Sequence, residues 1–88
     1  VAFEKLIMNK QHIQFHLREA HEAIEQILES LRSDPGYDYG NYWVEMQHLY
    51  HHINTAWNGR EATDEEVSVC SQEDFDRWGR YPTDLEPM

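Results

Sequence analysis

Residues 10–32, KQHIQFHLREAHEAIEQILESLR, and residues 41–58, NYWVEMQHLYHHINTAWN, decide the fold of this chain. Both repeat their apolar residues at helical spacing. In the first, Ile13, Leu17, Ala20, Ile24, Ile27 or Leu28, and Leu31 follow alternating steps of four and three, which gathers them in one stripe. Leu6 joins that stripe if the helix extends backwards, whereas Asn9 reads as an N-cap that would leave residues 1–8 as a separate lead-in. Glu22, Glu25 and Glu29 share the opposite, solvated face. In the second stretch, Tyr42, Met46, Leu49 or Tyr50, Ile53 and Trp57 form the stripe, with Trp43 at its edge.

Ser33-Asp34-Pro35-Gly36 breaks the period between them, and the connection from Ser33 to Gly40 is short. A short link makes the helices antiparallel neighbours. Tyr37 and Tyr39 can fold back over that end. Asn58-Gly59 ends the second helix, with Gly59 expected in the left-handed conformation of a C-cap. Beyond it, Thr63-Asp64-Glu65-Glu66 reads as a capping box opening a short helix through Val67 and Val69. Ser71-Gln72-Glu73-Asp74 opens a second, which Gly79 stops, and Tyr81-Pro82 continues extended. Phe75 and Trp78 lie three apart on one face of that helix.

The expectation is one all-α domain over residues 1–88: a long antiparallel hairpin at 9–58, capped by two short C-terminal helices and an extended tail at 59–88. Two amphipathic helices leave each stripe half covered. Val67, Val69, Phe75, Trp78 and Tyr81 supply a lid, with Phe75 and Trp78 buried as its anchors. Pairing of two hairpins into a homodimeric four-helix bundle adds to it. An 88-residue chain buries only roughly 60–65% of its unfolded surface, so partner subunits or metals help. Met8 and Phe15 fall away from the first stripe and mark a candidate interface.

Formal net charge is −10 and uneven. Residues 59–88 hold three Arg against nine acids, and 34–58 hold three acids with no Lys or Arg. Such an acidic surface repels phosphate backbones, which argues against nucleic-acid binding, and its simplest role is to keep a small domain soluble; the expected partner is protein, a second copy or another chain. No apolar run is long enough to span a membrane. The single cysteine, Cys70, rules out an internal disulfide, and together with a start that lacks a signal-peptide layout it points to a cytoplasmic protein. Acidic neighbours keep the Cys70 thiol unreactive and leave it a packing role.

No recognised catalytic signature is present, so the primary reading is a non-enzymatic, self-associating structural or interaction module without a cofactor. The rival reading rests on the six histidines, all on the two long stretches. Glu45, His48 and His52 lie at i, i+3 and i+7 on one strip, and His12, His16 and Glu19 offer a counterpart on the first helix. Imidazoles at i and i+4 with a carboxylate suit a divalent transition metal. The strip lies beside the apolar stripe, with His16 and His52 nearest the core edge, so the bland alternative is solvated boundary histidines. Convergence of His16 with His52 separates the two. His51 and His21 read as structural or exposed. Asn54, Trp57, Asn58 and Arg60 form a third candidate, a polar ligand corner beside an indole, set against a structural role in ending the helix and tying down the tail.

The run Leu49-Tyr50-His51-His52-Ile53-Asn54-Thr55-Ala56-Trp57-Asn58-Gly59-Arg60, with Ser71-Gln72-Glu73-Asp74-Phe75 and Tyr81-Pro82-Thr83-Asp84, resembles small uncharacterised bacterial helical proteins, cyanobacterial ones in particular. The resemblance implies a bacterial cytoplasmic setting and brings no activity, cofactor or functional residue.

Overall fold

The computed structural model describes residues 7–86 and is all-α. Helix α1 spans Lys10–Ser33, α2 Tyr39–Asn58, α3 Asp64–Val69 and α4 Gln72–Gly79. Leu6 lies outside the described residues. Among these, no helix is long and apolar enough to cross a membrane.

Local chemistry sets each boundary. Asn9 caps α1, its side-chain oxygen accepting from the His12 amide at 3.2 Å. The same residue stitches the start of α1 to the segment after α2. Its Nδ2 donates to the Ala62 carbonyl at 2.7 Å, and its backbone amide donates to the Arg60 carbonyl at 2.7 Å. Asp38 opens α2 two residues earlier than the sequence suggests. Asp38 Oδ1 accepts from the Asn41 amide at 2.9 Å, while Asn41 Oδ1 accepts from the Asp38 amide at 3.1 Å. Tyr39 and Gly40 are therefore helical; Tyr39 stays exposed, and only Tyr37 folds inward. The Thr63–Glu66 box and the Ser71 cap form as their spacing predicts. Each such cap is worth about 1 kcal/mol.

Two backbone expectations are corrected. Gly59 is not left-handed: its φ is −99° and ψ 17°. The left-handed residue is Cys70, at φ 44° and ψ 64°, which ends α3 and is exposed rather than packed. Gly59 is glycine for another reason. A Cβ there would meet His12 Nε2 and the Thr55 carbonyl oxygen, each at 3.0 Å. Gly79 is similar, since its Cβ would meet His51 Nδ1 at 2.9 Å. Both glycines make room for histidine rings.

Packing of α1 on α2 follows the expected stripes only in part: Ala20, Ile27, Met46 and Leu49 of those stripes turn inward, and the rest do not. The buried cluster is Ala20, Ala23, Ile27 and Leu49, with Met46 against it. On α1 the buried line continues through His12 and the half-buried His16 and Glu19. It is rotated by roughly 100°, one residue step, from the Leu17–Ile24–Leu28–Leu31 stripe. Those four residues are 41–61% exposed. On α2, Tyr42, Trp43, Tyr50 and Ile53 are 39–59% exposed for the same reason.

The tail covers less than expected. α4 packs on α2, and Trp78 is 3% exposed. Phe75, by contrast, is 45% exposed, and Val69 and Tyr81 are exposed too. Because Phe75 stacks on His51, with ring centroids 4.6 Å apart, it reaches the rim of the core but not its interior.

Candidate functional site

Five of the six histidines meet where α1 begins and α2 ends. His12 and His16 are one turn apart on α1, and His48, His51 and His52 lie on the facing turns of α2. His16 Nδ1 and His52 Nδ1 are 2.9 Å apart, and His52 Nε2 and His48 Nε2 are 3.0 Å apart. In each contact one ring N–H donates and the other nitrogen accepts. The three rings therefore form a hydrogen-bonded chain from exposed His48, through buried His52, to half-buried His16. His12 sits edge-on to His16, with centroids at 4.7 Å, and lies 5.4 Å from the Trp78 ring. His16 and His52 thus converge. His21 stands apart, paired with Glu25 at 3.3 Å on the exposed side of α1.

Burial disfavours the charged form of His12, His16, His51 and His52. Desolvation, reinforced by His12, His52 and His51, pulls His16 from 6.5 down to about 4. His12, His51 and His52 are lowered in the same direction, each mainly by burial. One carboxylate works the other way on His52, namely Glu19 of α1. Neutral imidazoles are the form that binds metals.

The carboxylate chosen from sequence, Glu45, faces elsewhere. It lines a surface groove with Glu22, Glu25 and Glu29. Desolvation, then the nearby Glu45 carboxylate, holds the Tyr37 phenol above its ordinary value. The buried Tyr37 hydroxyl is close to Glu45 without being aligned as its hydrogen-bond partner. Among the described residues, no three His, Cys, Asp or Glu side chains already converge on one metal position.

Beside the cluster is a cavity of about 360 Å3, walled by His12, Phe15, His16, His51, Phe75 and Trp78, with Thr55, Val67 and Cys70 completing it. Phe15 belongs to this side, edge-on to His16 with centroids at 5.1 Å. Met8 lies apart, in a groove with Asn9 and Ala62.

The polar corner at the end of α2 is engaged by the tail. Asn54 Nδ2 donates to the Gly79 carbonyl at 3.0 Å, and Asn58 Nδ2 donates to the carbonyls of Trp78, at 2.9 Å, and Arg80. Trp57 Nε1 donates to Asp84 at 2.8 Å. The Arg60 guanidinium lies 3.8 Å over the Trp57 ring and pairs with Asp84 at 3.6 Å. The indole N–H, and to a lesser degree Arg60, hold the Asp84 carboxyl below its ordinary value. These groups fasten α4 and residues 80–84 to α2.

Comparison with protein-family models, with curated proteins and with solved structures finds no match to this chain.

Proposed function

We propose that the chain is a non-enzymatic helical module that self-associates through the face of the hairpin opposite α4. The observation that supports this is the exposure of Leu17, Ile24, Leu28 and Leu31 on α1 together with Tyr42, Trp43 and Ile53 on α2, with Tyr50 at the margin, where one side of its ring meets Tyr81 of the tail at 5.6 Å.

Helix geometry puts the two sets on one side. On α1 the exposed stripe lies one residue step beyond the line that touches α2. On α2 its counterpart is offset in the same sequence direction from the line that touches α1. Because the helices are antiparallel, equal offsets turn both stripes to the same face. The other face of α2, at His51, Asn54, Thr55 and Asn58, receives α4.

Together the eight residues expose on the order of 800 Å2, what one partner contributes to a standard interface and more than monomers usually leave open. The stripe holds no charged side chain, so the −10 net charge stays outside the contact. Three of the eight are Trp or Tyr, the side chains that anchor interfaces. The fitting occupant is a second copy, apolar face on apolar face, which gives a four-helix bundle. Phe15 lies on the cavity side and is not needed for it.

Sedimentation velocity over a hundredfold concentration range tests the reading. Wild type is expected to sediment as a dimer, and Leu28→Lys/Ile53→Lys as a helical monomer, while Phe15→Ala stays dimeric. A wild type that is monomeric at the highest concentration refutes self-association. A dimer that survives the double substitution refutes this face.

A further inference from the structure

The imidazole chain has the layout of a metal site with its orienting partner already in place. We propose that His48 Nε2 and His52 Nε2 chelate one divalent transition-metal ion, with Glu19 of α1 as the facing carboxylate and His16 as the residue that positions His52.

The argument starts from the 3.0 Å between the two Nε2 atoms. Nitrogens at that separation subtend about 90–95° at an ion 2.0–2.1 Å from each, whereas a tetrahedral site wants them about 3.3 Å apart. An angle near 90° is a cis pair of a square-planar or octahedral ion, the preference of Cu2+ and Ni2+. His48 and His52 are one turn apart on α2, so the helix itself holds this spacing. His48 is exposed, and solvent can reach the remaining coordination positions.

The other nitrogen of His52 carries the second part. A metal-bound histidine needs its free N–H held by an acceptor, which fixes tautomer and ring plane. His16 Nδ1, 2.9 Å from His52 Nδ1, is that acceptor and comes from the opposite helix. Metal at Nε2 places the His52 proton on Nδ1, the tautomer that donates to His16. In the metal-free chain with that tautomer, His48 Nε2–H donates to His52 Nε2; on binding, His48 changes tautomer, Nε2 giving its proton to solvent and Nδ1 taking one up, so the two rings stay neutral and no net proton is released. The two nitrogens are the only donors the proposal takes as preset: among the described residues no third His, Cys, Asp or Glu converges with them. Glu19 is half-buried one turn beyond His16 on α1, and its charge acts on His52, so it is the carboxylate assigned to the facing position. The site joins α1 to α2, so occupancy ties the hairpin together. It stands on the tail side of the helices and is independent of the proposed dimer.

Titration calorimetry of untagged protein with Ni2+ and Cu2+ is the test, with circular dichroism confirming that each variant folds. One equivalent is expected to bind, raising the melting temperature, with Zn2+ weaker than Cu2+. His48→Ala, an exposed position, is expected to weaken Ni2+ at least tenfold, while His21→Ala leaves it unchanged. His16→Ala should weaken Ni2+ by roughly 10–100-fold, the range for a lost orienting partner, and an acceptor restored by His16→Asn should recover part of it. No binding by wild type, or equal binding by wild type and His48→Ala, overturns the site. Equal binding by wild type and His16→Ala overturns the positioning role.

Discussion

Replacing Gly59 by alanine separates two reasons for a glycine at a helix end. Were Gly59 in the left-handed region, alanine would cost stability through backbone strain alone. Its φ of −99° and ψ of 17° are open to any L-residue. On backbone grounds, therefore, Gly59→Ala stabilises by about 0.4–1 kcal/mol, by restricting the unfolded chain. Opposing that are the two contacts at 3.0 Å, His12 Nε2 and the Thr55 carbonyl oxygen. Neither yields easily. The Thr55 carbonyl accepts the Gly59 amide at 2.8 Å, so withdrawing it loosens the end of α2. His12 is buried between His16 and Trp78.

Overpacking of this kind costs about 1–3 kcal/mol, so the net expectation is a loss of about 1–2 kcal/mol. For a domain of this size that lowers the melting temperature by roughly 5–15 °C. The assay is thermal and urea unfolding of wild type, Gly59→Ala, His12→Ala and the double variant. Removing the ring should relieve part of the overlap, giving a coupling of at least about 0.5 kcal/mol. A Gly59→Ala protein as stable as wild type, or a cost that His12→Ala leaves untouched, refutes the claim that Gly59 exists to admit the His12 ring.

Two further outcomes follow from burial and charge. In a chelating buffer, the metal-free protein should lose stability as pH falls from 6.5 toward about 4. The unfolded chain takes up the His16 proton before the folded one does, so this contribution is full above 6.5 and gone below about 4. That gap sets a ceiling of about 3 kcal/mol, which partial exposure of His16 reduces to about 1–2 kcal/mol; urea midpoints flat from pH 7 to 4 would contradict it. Trp78→Ala should cost about 3–5 kcal/mol by denaturant unfolding, and Phe75→Ala less than half of that, because Trp78 alone is buried.

Much of the secondary structure was legible because its signals are local. Asn9, Thr63 and Ser71 each cap through an amide three residues away, and helical period marked α1 and α2. The Asp38–Asn41 box went unread because its pattern is not the Ser/Thr with Glu/Gln form of the motif. Which face of each helix turns inward was legible only in part, through Ala20, Ile27, Met46 and Leu49. Periodicity finds the stripe of largest side chains, but the hairpin closes on Ala20 and Ala23, whose small size lets the backbones approach. Both His16 and His52 read as lying at the core edge, but whether they converge depends on how the two helices face each other, which periodicity leaves open. The place of Glu45 did not follow, since its lining of a groove with Glu22, Glu25 and Glu29 depends on the register of the two helices. The steric reason for glycine at positions 59 and 79 was not legible either, because the partners, His12 and His51, are distant in sequence.

The interior of this end of the molecule is polar, with His12, His52, Asn54 and Thr55 buried, while leucines of α1 lie outside. Turning α1 to bury those leucines would carry His16 off His52, so the two arrangements exclude each other. A sequence shaped by monomer stability alone would have favoured the leucines. The histidine pair therefore has to be judged as a pair. Removing one ring leaves a buried nitrogen without a partner, at about 1–3 kcal/mol, whereas replacing both with apolar side chains of similar size is near neutral. Accordingly, His52→Leu should destabilise the metal-free protein by about that amount, and His16→Leu/His52→Leu should recover most of it while binding neither Ni2+ nor Cu2+. Recovery of stability with loss of metal assigns the imidazole chain to ligand binding. A double variant no more stable than His52→Leu would make the chain a structural element of the hairpin instead.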